Sequence, residues 1–160
     1  MKRRKHIKKI SITVLICLVV GGVGAVATQS SVSTWYMTIE KPAFTPPNWL
    51  FGPVWTVLYI LMGIAAGLVW IKGFYHKWVK VALYHFGFQL LFNGMWSVIF
   101  FGMQKPFLGL LAIIVLFILI ILTIKWFTVV DRRASWLMVP YALWVLFATA
   151  LNFEIWRLNS

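Results

Sequence analysis

The sequence predicts an all-α membrane protein, a bundle of five transmembrane helices, and three observations lead to this prediction. Hydrophobic residues make up 62% of the 160-residue chain and charged residues only 11%. A water-soluble domain of this size could not bury so much apolar surface. Five apolar runs are each about as long as a membrane crossing requires. The connections between them alternate between rich and poor in positive charge, as on the two sides of a membrane.

The five predicted helices follow one another closely along the chain. Each is a run of roughly 20 mostly apolar residues, enough to cross the hydrocarbon core, and the approximate bounds are 10–28, 53–71, 81–101, 106–127 and 134–155. Pro53 and Pro106 each suit the first turn of a helix. Pro140 lies inside the fifth helix and should kink it. A basic tail (1–9) precedes the helices and a short tail (156–160) follows them.

The distribution of Lys and Arg predicts the orientation. Twelve of the fifteen lie in the N-terminal tail, around the second connection and around the fourth, and only Lys41, Lys105 and Arg157 lie on the other side. The positive side faces the cytoplasm. We therefore expect an integral protein of a bacterial cytoplasmic membrane with its N-terminus inside and its C-terminus outside. The charges indicate contact with the lipid bilayer rather than nucleic acid, since no groove-reading module is present.

The first apolar run has a second interpretation. A basic start, an apolar run and Ala25-Val26-Ala27 are typical of a cleaved secretory signal. The run is longer than a usual signal core, however, and carries Gly21, Gly22 and Gly24, which favour close helix packing. We expect an uncleaved first helix.

The connection over 29–52 is predicted to be an ordered loop. Its three prolines within six residues restrict the backbone, and its aromatic side chains require a surface to lie on. It is either an aromatic belt in the headgroups or a lid over the outer mouth of the bundle. The lid residues would be Trp35, Lys41, Pro42, Phe44, Pro46, Pro47 and Trp49.

Polar and aromatic residues fall on common faces of three predicted helices. The third helix carries His85, Gln89, Asn93, Trp96 and Ser97, the fifth carries Tyr141, Trp144, Ala148 and Asn152, and the second carries Trp55, Tyr59 and Met62. Buried amides and indoles could simply hydrogen-bond neighbouring helices. Three such faces beneath an aromatic loop instead favour a pocket for a large, flat, apolar ligand.

Other chemistry is poorly supported by the sequence. No Asp or Glu lies deep in an apolar run, as ion-coupled transport usually requires. No metal site is predicted: Cys17 is the only cysteine, and His85 is more consistent with packing than with haem ligation. Val69, Tyr75 and Lys77 fit a weak cholesterol-contact pattern, but simple interfacial placement explains them as well.

Longer motifs resemble a known family. Trp35-Tyr36, Lys41-Pro42-x-Phe44-x-Pro46-Pro47-x-Trp49 and the run from Pro53 to Gly63 resemble the TspO/MBR family, which includes translocator proteins, tryptophan-rich sensory proteins and peripheral benzodiazepine receptors. Gln89 to Ser97 and Pro140 to Asn152 are similar to its third- and fifth-helix signatures. The resemblance covers about residues 15–153.

The resemblance implies a five-helix bundle, often dimeric, that binds protoporphyrin IX, haem and benzodiazepine-type drugs beneath the first loop. No cofactor is obligatory; the porphyrin would be a ligand. Carried over by motif, the ligand-binding residues are Tyr36, Trp55, Gln89, Asn93, Trp96, Ser97, Trp144 and Ala148. Some bacterial members are reported to degrade protoporphyrin in light, and their two pocket tryptophans match Trp55 and Trp144. The basic residue that closely follows the fifth-helix tyrosine in the animal cholesterol motif is absent here.

Three functions compete at this point. The first is a porphyrin-binding sensor or carrier. The second is a light-dependent porphyrin-degrading enzyme, in which Trp55 and Trp144 would be the catalytic residues. The third is a scaffold that regulates partner membrane proteins. The groups that bind a porphyrin would also serve the enzyme, so the sequence alone does not separate the first two.

Overall fold

The structure, a computed structural model, describes residues 2–160 and, for side chains, residues 3–160; within them it is helical and contains no strand. The predicted all-α bundle is confirmed. Its elements are α1 (Lys2–Val32), α2 (Trp35–Thr38), α3 (Asn48–Ile71), α4 (Lys77–Ser97), a π-helical turn (Val98–Gly102), α5 (Pro106–Val130) and α6 (Arg132–Leu158).

Four of the described helices are long and apolar enough to cross a membrane, namely α1 from Arg3 onward, α3, α5 and α6. The third predicted span corresponds to α4, which has 21 residues but includes His85, Gln89 and Asn93. These polar side chains lower its hydropathy, so length and composition do not confirm the count of five spans. Gln89 and Asn93 are fully buried, so the polarity of α4 is directed into the bundle.

The helices around the first connection are longer than predicted. The first helix continues to Val32, and α3 begins at Asn48 instead of near residue 53. Pro53 therefore lies inside α3 and not in its first turn, contrary to the prediction. Its position so near the helix start makes this tolerable, because only the hydrogen bond to the Trp49 carbonyl is lost. Pro106 does occupy the start of α5, and Pro140 lies within α6.

The helices α1 and α3 pack closely over residues 9–21 and 59–70, which we call the closed half of this pair. A Cβ added to Gly63 would collide with the backbone of Val14, and one added to Gly67 would lie 2.7 Å from the Ile10 Cα atom. The glycines thus permit backbone-to-backbone contact. The Thr13 hydroxyl donates to the Gly63 carbonyl at 2.6 Å, which fixes the two helices in register.

The same two helices separate over residues 22–33 and 48–56, which we call the open half. Here α1 leans away from α3 and onto α4 and the π-helical turn. A Cβ on Gly24 would lie 3.2 Å from the Ser97 Oγ atom, and the Ser31 hydroxyl donates to the Phe101 carbonyl. On the α3 side, Trp55 lines the space beside α1, and Tyr59, which packs on Gly21 where the closed half ends, lines its inner end. A cavity results.

Polar contacts join the segments between the helices at both ends of the bundle. Lys72, after α3, forms an ion pair with Asp131 at 3.0 Å, and the Asp131 side chain also caps α6 by accepting from the Arg133 N–H. At the opposite end, the Asn159 side chain accepts from the Glu40 N–H at 3.0 Å and donates to the Glu40 carbonyl at 2.9 Å. The loop after α2 is thereby attached to the end of α6.

Candidate ligand-binding site

The open half encloses a cavity of about 690 Å³. This volume lies within the range of small-molecule sites, roughly 300–1,000 Å³. Its walls come from α1, α2, α3, the end of α4, the π-helical turn and α6. Eight of the lining residues are aromatic: Tyr36, Phe51, Trp55, Tyr59, Trp96, Phe100, Phe101 and Trp144.

Trp55 lies at the centre of an aromatic cluster. Its ring centroid is 5.7 Å from that of Tyr59, 6.0 Å from that of Trp96 and 6.3 Å from that of Tyr141. On the other side, Trp144 lies 6.0 Å from Phe51. These spacings are those of interacting aromatic rings, so neighbouring rings of the cavity wall pack against one another.

The cavity offers few polar groups and no charge among the residues that the structure describes. Trp96 Nε1 donates to Asn152 Oδ1 at 3.1 Å, and Asn152 Nδ2 donates to the Pro106 carbonyl at 2.8 Å. The Nε1 atom of Trp144 is different: among the described side chains it is the buried polar atom without a hydrogen-bond partner. A buried N–H without an acceptor is costly. Trp144 itself lines the cavity, so a ligand acceptor that reached this atom would relieve that cost.

Two predicted pocket residues do not line the cavity. Gln89 and Asn93 lie deeper in the bundle and join a buried hydrogen-bonded network, which we call the floor network. The Tyr59 hydroxyl donates to Asn93 Oδ1, Asn93 Nδ2 donates to the Tyr141 hydroxyl at 2.7 Å, and that hydroxyl donates to Gln89 Oε1 at 2.9 Å. The network links α3, α4 and α6 and supports Tyr59, which does line the cavity.

The other six predicted ligand-binding residues all line the cavity: Tyr36, Trp55, Trp96, Ser97, Trp144 and Ala148. The structure thus brings together residues from α2, α3, α4 and α6. The two tryptophans proposed for photochemistry, Trp55 and Trp144, lie on different walls of this one cavity. His85 is elsewhere: its ring lies 5.9 Å from that of Trp126, and its Nδ1 atom is 2.8 Å from the Val81 carbonyl oxygen.

None of the predicted lid residues lines the cavity. The Lys41 ammonium donates to the carbonyls of Tyr36 at 2.6 Å and Ile39 at 3.1 Å, so it holds the short helix α2 in place. Phe44 packs against Phe147 with ring centroids 6.1 Å apart. Trp35 contacts Phe100, and Trp49 is 72% exposed. Among the remaining predicted lid residues, Pro42 precedes a turn at residues 43–44, and Pro46 and Pro47 lie between that turn and the start of α3.

Sequence reasoning missed the wall formed by α1. Leu18, Gly21, Gly22, Ala25 and Thr28 all line the cavity, yet they read as an ordinary apolar run. The one available signal was the concentration of glycine in this stretch, which indicated close packing in general and not a particular face. Asn152 was identified on the fifth-helix face and does lie at the cavity.

This fold and site define a class: a helical membrane-type bundle with a neutral, aromatic-walled cavity of the size of a small-molecule site. A TspO/MBR family model matches residues 13–157, so the chain belongs to the TspO/MBR family. It is 47% identical to the tryptophan-rich protein TspO of Archaeoglobus fulgidus, over 97% of this chain and 99% of that protein. It is 38% identical to the tryptophan-rich sensory protein of Cereibacter sphaeroides, over 85% of each chain. It is also 38% identical to the human translocator protein, over 78% of this chain and 75% of that one.

Proposed function

We propose that this protein is a membrane receptor or carrier that binds porphyrins such as protoporphyrin IX and haem, for tetrapyrrole or stress sensing or for transport. The observation that carries the proposal is the cavity of about 690 Å³ with eight aromatic lining residues and no charged one among those described. A flat macrocycle stacks favourably against such walls. The names of the relatives, sensory and translocator proteins, agree with sensing or transport.

The polar groups of the cavity indicate how a porphyrin would be oriented. The Trp144 N–H has no hydrogen-bond partner, and Ser97, at the end of α4, also lines the cavity. Charged carboxylates have no cationic partner inside the cavity, so they would remain at its rim. A haem iron would find no histidine or cysteine among the described lining residues, and haem would therefore bind through its macrocycle.

The membrane arrangement belongs to the same proposal. We take α4 as a fifth span, because its amides are buried in the bundle while its outer face carries Tyr84, Phe88 and Leu91. Twelve of the fifteen positive residues then lie on one side, which places the N-terminus in the cytoplasm and the C-terminus outside a bacterial cytoplasmic membrane.

A titration with protoporphyrin IX in the dark tests the binding proposal. Tryptophan fluorescence would be followed in nanodiscs for wild type, Trp144→Phe and the control Trp78→Phe. Trp78 stacks on Trp126, 5.5 Å away and outside the cavity. We expect saturable quenching in wild type and in Trp78→Phe, and a weaker affinity in Trp144→Phe because the free indole donor is lost. Linear, non-saturable quenching in all three proteins would refute binding in the cavity.

A second function, light-dependent porphyrin degradation, is favoured by the aromatic cluster around Trp55. If the Trp55 indole, which packs against Tyr59, Trp96 and Tyr141, loses an electron, a neighbouring ring can supply one by electron transfer. The bound porphyrin would absorb the light and dioxygen would be the oxidant. If this is correct, porphyrin absorbance falls under illumination only in the presence of dioxygen, and Trp55→Phe slows the loss. Equal loss in wild type and Trp55→Phe would leave binding as the function.

A further inference from the structure

The rim of the cavity shows which way it opens. The deep walls, contributed by α2, α4, the π-helical turn and α6, consist of buried or half-buried residues. The exposed lining residues all belong to α1, to Ser33 directly after it, and to α3. The mouth of the cavity therefore lies sideways, between α1 and α3, rather than at the end of the bundle under the loop.

Helical spacing places the exposed rim residues on one face of each of the two helices. Gly22, Ala25 and Gln29 are spaced by three and four along α1, and Asn48, Gly52 and Thr56 are each spaced by four along α3. Each set lies on one face of its helix. In two packed helices these faces would form the seam between them. Here the space beside them is open: a Cβ on Gly22 or on Gly52 would meet no atom within 4 Å.

The rim lies within segments suited to a membrane. Both α1 and α3 are long and apolar enough to cross a bilayer, and most of the rim falls inside them. Gly22, Ala25 and Gly52 lie further from the connecting loop than the polar Gln29 and Asn48. Thr56 lies deeper still, but its hydroxyl donates to the Gly52 carbonyl at 2.9 Å and is therefore satisfied within α3. An amphiphile in the bilayer is arranged in the same way, with apolar atoms deep and polar atoms near the headgroups.

We propose that the cavity is loaded and emptied sideways, through this α1–α3 opening, by ligands dissolved in the lipid. Lateral loading rests on the proposed function in one respect, that the cavity binds a ligand. It adds that this ligand comes from the lipid. The loop after α2 is not the gate. Lys41 and Asn159 attach it to α2 and α6, and it contributes no residue from 39 to 47 to the lining.

Narrowing the rim tests the route. The double variant Gly22→Leu/Gly52→Leu places two large side chains in open space at the mouth, and Gly87→Leu is the matched control, since its Cβ also meets nothing within 4 Å and it does not line the cavity. Protoporphyrin IX in donor vesicles would be mixed in the dark with protein in nanodiscs. We expect association and dissociation about tenfold slower in the double variant, as for a gated site, and wild-type rates in Gly87→Leu. Wild-type rates in the double variant would overturn the proposal.

A second measurement needs no ligand, so it separates this proposal from the proposed function. Nitroxide labels would be placed at Gly22→Cys and Gly52→Cys in a Cys17→Ala background, with Ile118→Cys on the exposed face of α5 and Thr38→Cys in the connection as references. We expect both rim labels to collide with dioxygen more than with a water-soluble nickel chelate, as at residue 118. If both rim labels instead collided more with the nickel chelate than with dioxygen, as expected at residue 38, the mouth would be aqueous. This result would overturn the proposal even if porphyrin binds. If the titration showed no saturable binding while both rim labels behaved like residue 118, porphyrin would be refuted as the ligand but the lateral opening would stand.

Discussion

The closed and open halves of the α1–α3 pair are built from the same two helices and differ in how closely the helices approach each other. In the closed half, Gly63 and Gly67 bring α3 onto the backbone of α1. In the open half, a Cβ on Gly22 or Gly52 would meet no atom within 4 Å, and the helices separate beside the cavity that Trp55 lines. Without a hydrophobic force between helices in lipid, such packing depends on close contact. The comparison shows that one end of the pair provides stability while the other provides a cavity.

The largest expected effect comes from adding one methyl group to the closed half. Gly63→Ala would push a Cβ into the Val14 backbone and should destabilise the protein by about 2 kcal/mol through overpacking. Gly22→Ala in the open half meets nothing within 4 Å and should stabilise by roughly 0.5 kcal/mol, because alanine favours helix over glycine. Thermal unfolding in one detergent would compare the two. Equal effects would mean that the two halves do not differ in packing.

The floor network should matter next. Asn93→Ala leaves the Tyr59 and Tyr141 hydroxyls without their amide partner, which should cost about 1–3 kcal/mol of stability. Trp144→Phe removes an N–H that has no partner and should leave stability nearly unchanged. Unfolding temperatures measured without ligand would check both. If Trp144→Phe were the more destabilised variant, its indole would have a structural partner that this account omits.

A smaller effect is expected at the Lys72–Asp131 pair. Partial burial raises the pKa of the Asp131 carboxyl. The hydrogen bonds from Lys72 and from the Arg133 N–H lower this pKa, as do the positive charges of both residues. The net result is a pKa below the usual value. Because the folded pKa is lowered, the stabilisation is present above the unfolded pKa and is lost as the pH falls through the folded one. Asp131→Asn keeps the cap on α6 and should cost at most about 1 kcal/mol near neutral pH. Unfolding temperatures measured from pH 7 down to pH 3 should converge for the two proteins, and a constant difference would contradict the pair.

The smallest effect on stability should follow from releasing the loop after α2. Asn159→Ala removes both hydrogen bonds to the Glu40 backbone, and because the site is exposed and water can replace them, the total cost should be about 0.5 kcal/mol. Limited proteolysis should cut the 39–47 segment faster in this variant than in Asn48→Ala, where the amide contacts only a methionine sulfur. Unchanged cleavage would show that other contacts hold the loop.

Much of the site was predictable because side-chain periodicity identifies the face of a helix. Trp55, Trp96 and Trp144 were found in this way, and they do share one cavity. Periodicity does not give depth along the bundle, and this is why Gln89 and Asn93 were grouped with Trp96 although they lie in the floor network below it. The wall formed by α1 could not be predicted, since Gly22 and Ala25 carry no polar or aromatic signal and their exposure depends on where α3 diverges.

The central claim is that the open half holds a flat aromatic ligand, and one pair of variants on α6 tests it most directly. Ala148 is buried and lines the cavity, whereas Ala150, two residues further on, is exposed and lies outside it. Binding of protoporphyrin IX would be followed by its own absorbance in the dark, so that no tryptophan signal is involved. The account predicts that Ala148→Phe fills the cavity and weakens binding at least about tenfold, while Ala150→Phe binds like wild type. Equal, wild-type affinity in both variants would contradict it.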